Sequence, residues 1–273
     1  MGAYCIRLPH PDWTPSGAPK LKVKPAKVAI VGANVSANNA IRTPQFWCLW
    51  VILFCNITAG IGISENAAPM VQDYYPALTA AAAAGFVGLL SLANMGGRFI
   101  WSSASDVIGR KNIYMVYLGV GLIFYFVVAS AGHTSLALFV VSTLILLTFY
   151  GGGFSTIPAY LRDLFGVYQV GAIHGRLLTA WSAAGVAGPL IINTVVERQA
   201  NRGNSGPELY QLSLYIMCVL LAVGLVANFL VKPVDRKWFE DPHTVQAKVE
   251  ADRAAAAGAD AGASAKASGA HTA

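Results

Sequence analysis

The chain has 273 residues, of which 55% are hydrophobic and only 12% are charged, and its formal net charge is +6 at pH 7. A soluble domain carries about 25% charged residues, so this composition excludes an ordinary water-exposed surface. The composition favours a chain that is largely embedded in lipid, and the apolar runs are therefore more informative than the net charge.

Six apolar runs are long enough to cross a bilayer, which needs roughly 20 residues of helix. The runs cover residues 46–63, 78–97, 113–131, 135–160, 177–196 and 210–231. They contain many Gly, Ala and Ser residues, which suit close helix packing in lipid, and they lack the period-two alternation of a membrane β-barrel. The sequence therefore predicts an all-α membrane protein of six transmembrane helices. Because the loops are short, neighbouring helices are expected to pack as antiparallel pairs.

The basic residues are distributed unevenly between the two sides of these spans. All but three of the 19 Lys and Arg residues lie before the first span, after the last, or in the loops on that same side. The exceptions are Arg98 in the second span and Arg198 and Arg202 on the other side. Basic loops remain in the cytoplasm, so both termini are predicted to be cytoplasmic, in a multi-pass protein of the cell (inner) membrane. Such dispersed charges do not indicate a nucleic-acid surface.

The chain divides into three predicted parts. Residues 1–44 form a Pro- and Lys-rich cytoplasmic segment without the apolar core of a signal peptide. Residues 45–232 form the six-helix transmembrane domain. Residues 233–273 form a cytoplasmic tail that is expected to be largely disordered, with a short helix over 245–257. The four cysteines lack metal-ligand spacing, and the sequence predicts no metal, cofactor or catalytic residue.

Arg98 is the most informative single residue, because it is a charge inside an apolar span. It lies eight residues before Asp106, which marks the cytoplasmic end of the second span, and is therefore roughly 12 Å deeper. Half the hydrocarbon core is about 15 Å, so Arg98 is predicted near the midplane. A guanidinium at that depth faces a polar cavity or a partner, and it matches a carboxylate in bidentate geometry. We predict an anion-binding site; the alternative is a structural contact with a carbonyl or with Asn94.

Other residues of the spans are candidates to line this site or to let helices move. Asn94 and the aromatic residues Tyr150, Phe154 and Trp181 are predicted substrate-binding residues, although core or lipid packing is the commoner role of intramembrane aromatics. Three further residues, in the fifth span, are predicted to let a helix flex, or equally to allow tight packing. They are Gly185, Gly188 and Pro189.

The loop between the second and third spans combines one acid, one glycine and two bases. Asp106 is unfavourable alone at a helix C-terminus, but beside Gly109, Arg110 and Lys111 it can join a charge network that locks neighbouring helices. The alternative is a solvated loop whose charges only set the topology. Glu65 is placed at the outer end of the first span, where a solvated helix end is preferred over a proton relay.

The stretch 94–111 resembles the second copy of the loop motif of the major facilitator superfamily. Asp106, Gly109, Arg110 and Lys111 match the motif, whereas Ser102 and Val107 replace a glycine and a base. Segments 7–13, 42–47, 150–154, 163–166 and 178–189 are similar to the oxalate/formate antiporter group of that superfamily, and the resemblance runs in order from about residue 4 to residue 242.

This resemblance implies that the six helices correspond to helices seven to twelve of a twelve-helix transporter, one half of a bundle with 3+3 repeats. The first six helices are expected to be missing and to be supplied by a separate N-terminal half or by a second copy. Arg98 falls at the substrate-binding arginine of the family, and residues 106–111 fall at its gating loop. Residues 179–182 match the region of a second cationic residue but contain no lysine.

The implied function is transport of a small organic anion by alternating access, as an antiporter or symporter. The single cationic group favours a monocarboxylate over the dianion oxalate. The alternative is a truncated membrane remnant that does not transport, or a regulatory or assembly partner. The missing catalytic set disfavours an enzyme.

Overall fold

The computed structural model describes residues 34–241, 243–245 and 247. The N-terminal segment up to residue 33, most of the tail that was predicted to be disordered and nearly all of the predicted helix over 245–257 lie outside these residues.

Six stretches of the described chain are long and apolar enough to cross a membrane, which confirms the six-span prediction. The first span is α2 (Pro44–Tyr74), after a short α1 (Ala37–Ala40), and the second is α3 (Ala80–Ile108). The third span joins α4 (Arg110–Met115), a π-helical turn (Val116–Val120) and α5 (Gly121–Ala131). The fourth is α6 (Leu136–Phe165), the fifth joins α7 (Val170–Leu177) and α8 (Thr179–Asn201), and the sixth is α9 (Glu208–Leu230).

Most helices extend beyond the apolar runs that predicted them. The prediction ended the first span at Ile63, yet α2 continues through Ser64 and Glu65 to Tyr74. The second apolar run ended at Gly97, whereas α3 continues to Ile108, close to the end that was predicted from Asp106. The predicted ends followed hydropathy, whereas a helix satisfies its own backbone hydrogen bonds and persists through polar residues.

Local sequence explains where the long helices begin and end. Thr43 precedes Pro44 at the start of α2, and its hydroxyl oxygen accepts the backbone N–H of Phe46 at 3.3 Å. The ends of α3 and α6 are followed by Gly109 and Gly166, whose φ angles of 93° and 86° favour glycine. These two turns lie on the predicted cytoplasmic side.

Consecutive spans pack against each other, as expected from the short loops, but they do not form the most extensive helix pairs. The most extensive contacts join α3 to α6 and α2 to α8 and α9, and consecutive spans share less contact. The second and fourth spans cross in the same direction, so α3 and α6 form a parallel pair. Small residues decide the pairing, because they let two backbones approach closely whatever the loop length.

The first span is the centre of the bundle, and the second and fifth lie at its surface. Most of the apolar part of α2 is buried, and Leu49, Ile52 and Leu53 are fully enclosed. Most of α3 and of the α7–α8 span remains exposed. The two helices that carry Arg98 and Trp181 therefore present open faces.

Candidate anion-binding site

The backbone of α3 around Arg98 is fixed by a close seam with α6. A Cβ on Gly97 would lie 2.3 Å from the carbonyl oxygen of Thr148, and one on Gly151 would lie 2.1 Å from that of Asn94. Only glycine allows this approach. The Trp101 indole N–H donates to the Thr148 hydroxyl at 3.1 Å, one turn from Arg98. The seam therefore holds the α3 backbone at a defined depth and rotation.

A second contact acts on Arg98 itself. The hydroxyl of Ser155 donates to the backbone carbonyl oxygen of Arg98 at 3.2 Å and to that of Gly152 at 3.1 Å. This hydrogen bond joins the Arg98 carbonyl of α3 to Ser155 of α6 and so limits the rotation of α3. The arginine side chain starts from a rigid support.

The guanidinium of Arg98 has no polar partner within the described ranges. The side chain is exposed, and its Cζ atom lies 5.3 Å from the centroid of the Phe154 ring. Neither a hydrogen bond nor an ion pair joins its side-chain nitrogens to any described residue, so the alternative contact with Asn94 or a carbonyl is not formed there. A cation–π contact holds a guanidinium but leaves its donors free for an anion.

Three of the predicted aromatic residues lie around this guanidinium. The rings of Phe154 and Trp181 meet edge to face, with centroids 5.9 Å apart and planes at 62°. The Tyr150 ring rests on Gly60 of α2, where an added Cβ would lie 2.4 Å from the ring. Arg98 of α3, Phe154 of α6 and Trp181 of α8 thus lie together, and their role in substrate binding stays a prediction.

The backbone of Asn94 belongs to the seam between α3 and α6. It lies one turn before Arg98 on α3, is partly buried, and contributes its backbone carbonyl to the seam with Gly151. Its role in substrate binding stays a prediction. Sequence inspection did not identify Ser155 as a support for Arg98, because a serine one residue after an aromatic gives no indication of which helix it faces.

The charges of the loop motif form a network at the C-terminal end of α3. Arg110 pairs with Asp106 and donates to the hydroxyl of Ser105, and its Nε lies 3.6 Å from a carboxylate oxygen of Asp163. Asp163 belongs to the last turns of α6, so the network joins the C-terminal ends of the two helices of the seam. A gating role for this loop stays a prediction.

Lys111 connects the same loop to the last span. Its ammonium donates to the backbone carbonyl oxygens of Phe229 at 3.1 Å and Val231 at 2.7 Å, at the end of α9. The last carbonyls of a helix have no intrahelical partner, so a lysine there satisfies them. The side-chain amide of Asn228 donates back to the carbonyl oxygen of Lys111 at 2.9 Å.

The three residues predicted to let the fifth span flex lie within the single helix α8. Gly188 packs closely on α2, where an added Cβ would lie 3.0 Å from the carbonyl oxygen of Thr58. Gly185 faces open space, and Pro189 is inside the helix. The contact at Gly188 favours tight packing at that position, while flexing of this helix stays a prediction.

The first helix continues past the acidic residue that was predicted to lie at its outer end. Glu65 is inside α2, nine residues before the end of that helix. The error follows from ending the first span at the last apolar residue. In the last turn of α2, Asp73 accepts a hydrogen bond from the Tyr210 hydroxyl at 2.8 Å.

Comparison with protein families gives a match over most of the chain. The model described as Major Facilitator Superfamily matches residues 3–189 and 49–258. The oxalate:formate antiporter of Oxalobacter formigenes is 26% identical over 189 residues, which cover 68% of this chain and 42% of the antiporter. The resemblance to the oxalate/formate antiporter group is confirmed.

A second relative comes from Escherichia coli strain K12. It is YhjX, an uncharacterized transporter of the major facilitator type, and it is 24% identical over 161 residues, which cover 58% of this chain and 39% of YhjX. The matched part of this chain thus spans about two-fifths of the length of each of these two relatives.

Proposed function

Because the chain belongs to the major facilitator superfamily and is a membrane transport protein, we propose that it carries a small organic anion by alternating access. The observation that carries this proposal is the unpartnered guanidinium of Arg98 on an open face of the bundle. An intramembrane charge is expensive, and it persists in proteins mainly where it binds a substrate, an ion or a partner.

A monocarboxylate fits this site better than a dicarboxylate. Arg98 supplies one positive charge, and the aromatic rings of Phe154 and Trp181 beside it are neutral. A monoanion neutralises that charge, whereas a dianion leaves one negative charge uncompensated at low dielectric. A second cationic group from another part of the assembled transporter would reverse this preference.

The open faces of α3 and α8 support a role for a second six-helix body. A cavity at the membrane midplane must be closed from both sides, and one half leaves Arg98 exposed. The second body is an N-terminal half, in the same or another chain, or a second copy of this chain. The basic loops favour cytoplasmic termini in a cell (inner) membrane. We propose the Arg110 network as the gate of the transporter and Pro189 as a hinge.

The experiment that tests this proposal is uptake of labelled lactate, formate and oxalate into proteoliposomes that contain the chain assembled with a six-helix N-terminal half. Arg98→Gln is compared with Arg202→Gln, which removes the same charge at the outer end of α8. We expect the first change to abolish uptake and the second to leave it close to that of the unaltered protein. Monocarboxylate uptake should exceed oxalate uptake.

Membrane insertion is measured for each variant, because a variant that fails to insert would also show no uptake. Unchanged uptake by correctly inserted Arg98→Gln contradicts the site assignment. We expect the chain alone to show little uptake and its assembly with a six-helix N-terminal half to show much more. If no such assembly transports any anion, the chain is a remnant that does not transport or a regulatory partner.

A further inference from the structure

A small cavity lies inside the bundle, between the first, third, fourth and sixth spans. Its wall includes Asn56 of α2, Gly121 and Tyr125 of α5, Phe149 and Tyr150 of α6, and Leu221 of α9. The volume open to the centre of a water molecule is about 10 Å³. One water needs roughly 10–15 Å³ by the same measure, so the cavity has room for a single water and not for a larger ligand.

The third span leaves this space open at its π-helical turn. That turn, Val116–Val120, holds one residue more than an α-helical turn and ends directly before Gly121. A Cβ on Gly121 would lie 3.6 Å from the Leu221 side chain and 3.8 Å from that of Phe149, which are ordinary contact distances. An alanine would therefore fit at this point of the cavity wall, and the glycine leaves the space unfilled.

Asn56 brings an unpaired amide to this cavity. It is only 4% exposed, and neither its Oδ1 nor its Nδ2 has a hydrogen-bond partner among the described residues. The bundle accommodates this side chain through Gly153 of α6, where an added Cβ would lie 2.3 Å from the Asn56 Oδ1. A buried amide without partners is costly, because it has lost its bonds to water and gained none.

Tyr125 is the second polar residue of the cavity without a partner. It is 3% exposed, and its hydroxyl forms no hydrogen bond within the described chain. Other buried tyrosines are paired: Tyr114 donates to the Gly153 carbonyl oxygen, and Tyr210 donates to the Asp73 carboxylate at 2.8 Å. A buried tyrosine hydroxyl usually finds such a partner, so Tyr125 departs from the pattern of its own bundle.

The chemistry of these two groups restricts what can bind between them. An amide donates and accepts hydrogen bonds, and so does a phenol hydroxyl. A metal cation accepts no hydrogen bond, a carboxylate donates none, and an apolar molecule does neither. Water does both and has the right size, and buried waters in proteins typically bond to otherwise unpaired polar groups.

We propose that this cavity is a binding site for one water molecule, which joins the Asn56 amide of α2 to the Tyr125 hydroxyl of α5. The two helices have little direct contact with each other, since α2 packs mainly on α8 and α9 and α5 packs mainly on α9 and α6. The water thus links the central first span to the third span. The inference concerns the interior of the six-helix body and does not depend on the proposed function.

The water lies on the inner side of the wall that carries the candidate anion site. Tyr150 lines the cavity, and Phe154, beside Arg98, follows it by four residues on the same side of α6. The water therefore satisfies the polar groups behind this wall without adding a charge near the guanidinium.

Radiolytic footprinting of the purified chain in detergent detects the water directly. X-rays convert bound water to hydroxyl radicals, which oxidise the nearest side chains. Tyr125 is compared with Tyr160, which is 4% exposed but donates its hydroxyl to the Asn228 Oδ1 at 3.4 Å. We expect Tyr125 to be oxidised several-fold faster than Tyr160, and Gly121→Ala to remove that difference. Equal rates for the two tyrosines in the unaltered chain overturn the proposal.

Thermal unfolding of two alanine variants distinguishes a filled cavity from an empty one. Gly119→Ala is the control, because the nearest atom to a Cβ there is a Leu225 side-chain carbon at 4.0 Å. Alanine favours a helix over glycine, so this change should raise the unfolding temperature. Gly121→Ala should lower it, because the methyl group displaces the water and leaves Asn56 and Tyr125 unpaired. An unchanged or raised unfolding temperature for Gly121→Ala shows an empty cavity and overturns the proposal.

Discussion

Arg98 of α3 and Arg110 at the start of α4 differ in the side chains that surround them. Arg110, at the start of α4, is partly buried and lies among Asp106, Asp163 and the Ser105 hydroxyl. Arg98, three turns earlier and deep in the span, has only the face of Phe154 beside it within the described chain. Partners already satisfy the first charge, so it joins helices, whereas the second retains free donors for a ligand.

Disrupting the seam between α3 and α6 should cause the largest loss of stability, because the seam supports both arginines. Gly151→Leu places side-chain atoms where the Asn94 carbonyl lies 2.1 Å from an ideal Cβ, and we expect it to destabilise the bundle by about 3 kcal/mol. Gly85→Leu is the control, because nothing lies within 4 Å of a Cβ there. Thermal unfolding in one detergent measures both, and equal stability of the two variants contradicts the seam.

Exchanging each arginine for glutamine sharpens the comparison. Arg110→Gln removes two ion pairs whose acidic partners are partly solvated, so we expect a loss of about 1 kcal/mol of unfolding free energy. Arg98→Gln removes no polar contact within the described residues, and its stability should stay within about 0.5 kcal/mol of the unaltered protein. Thermal unfolding in the same detergent measures both variants. An equal loss of unfolding free energy in the two would show that Arg98 has a structural role.

Removing the Phe154 ring beside Arg98 should have the smallest effect, a modest weakening of lactate binding. Phe154→Ala removes a cation–π contact worth about 0.5–1 kcal/mol at an exposed site, so the lactate concentration for half-maximal uptake should rise about two- to fivefold. Phe126→Ala, which removes an exposed aromatic of α5, is the matched control. A maximal rate that falls without any change in that concentration would exclude a binding role.

Hydropathy predicted the six spans, because each span is a single helix whose apolar run is continuous in sequence. The loop motif placed Asp106 beside Arg110, since the two are four residues apart, but it did not predict the contact with Asp163 of α6. The pairing of α3 with α6 depends on Gly97 meeting Thr148 and on Gly151 meeting Asn94, and short-range patterns contain no such information.

The position of Glu65 shows a second kind of error, which concerns where the first helix ends. Its polarity made the first span seem to end at Ile63, although the backbone hydrogen bonds of α2 continue to Tyr74. A polar residue within a membrane helix and one just beyond its end look the same in a hydropathy profile. Only the backbone hydrogen bonds show that the helix continues past Glu65.

The most direct test of the account is protection of the purified chain against thermal unfolding by lactate. A ligand that binds only the folded protein adds stability, about 2.7 kcal/mol at one hundred times its dissociation constant. We predict that lactate stabilises the unaltered chain and Arg202→Gln but leaves Arg98→Gln unchanged. Equal protection of Arg98→Gln and the unaltered chain, or no protection of either, would contradict the assignment of Arg98 as the anion-binding residue.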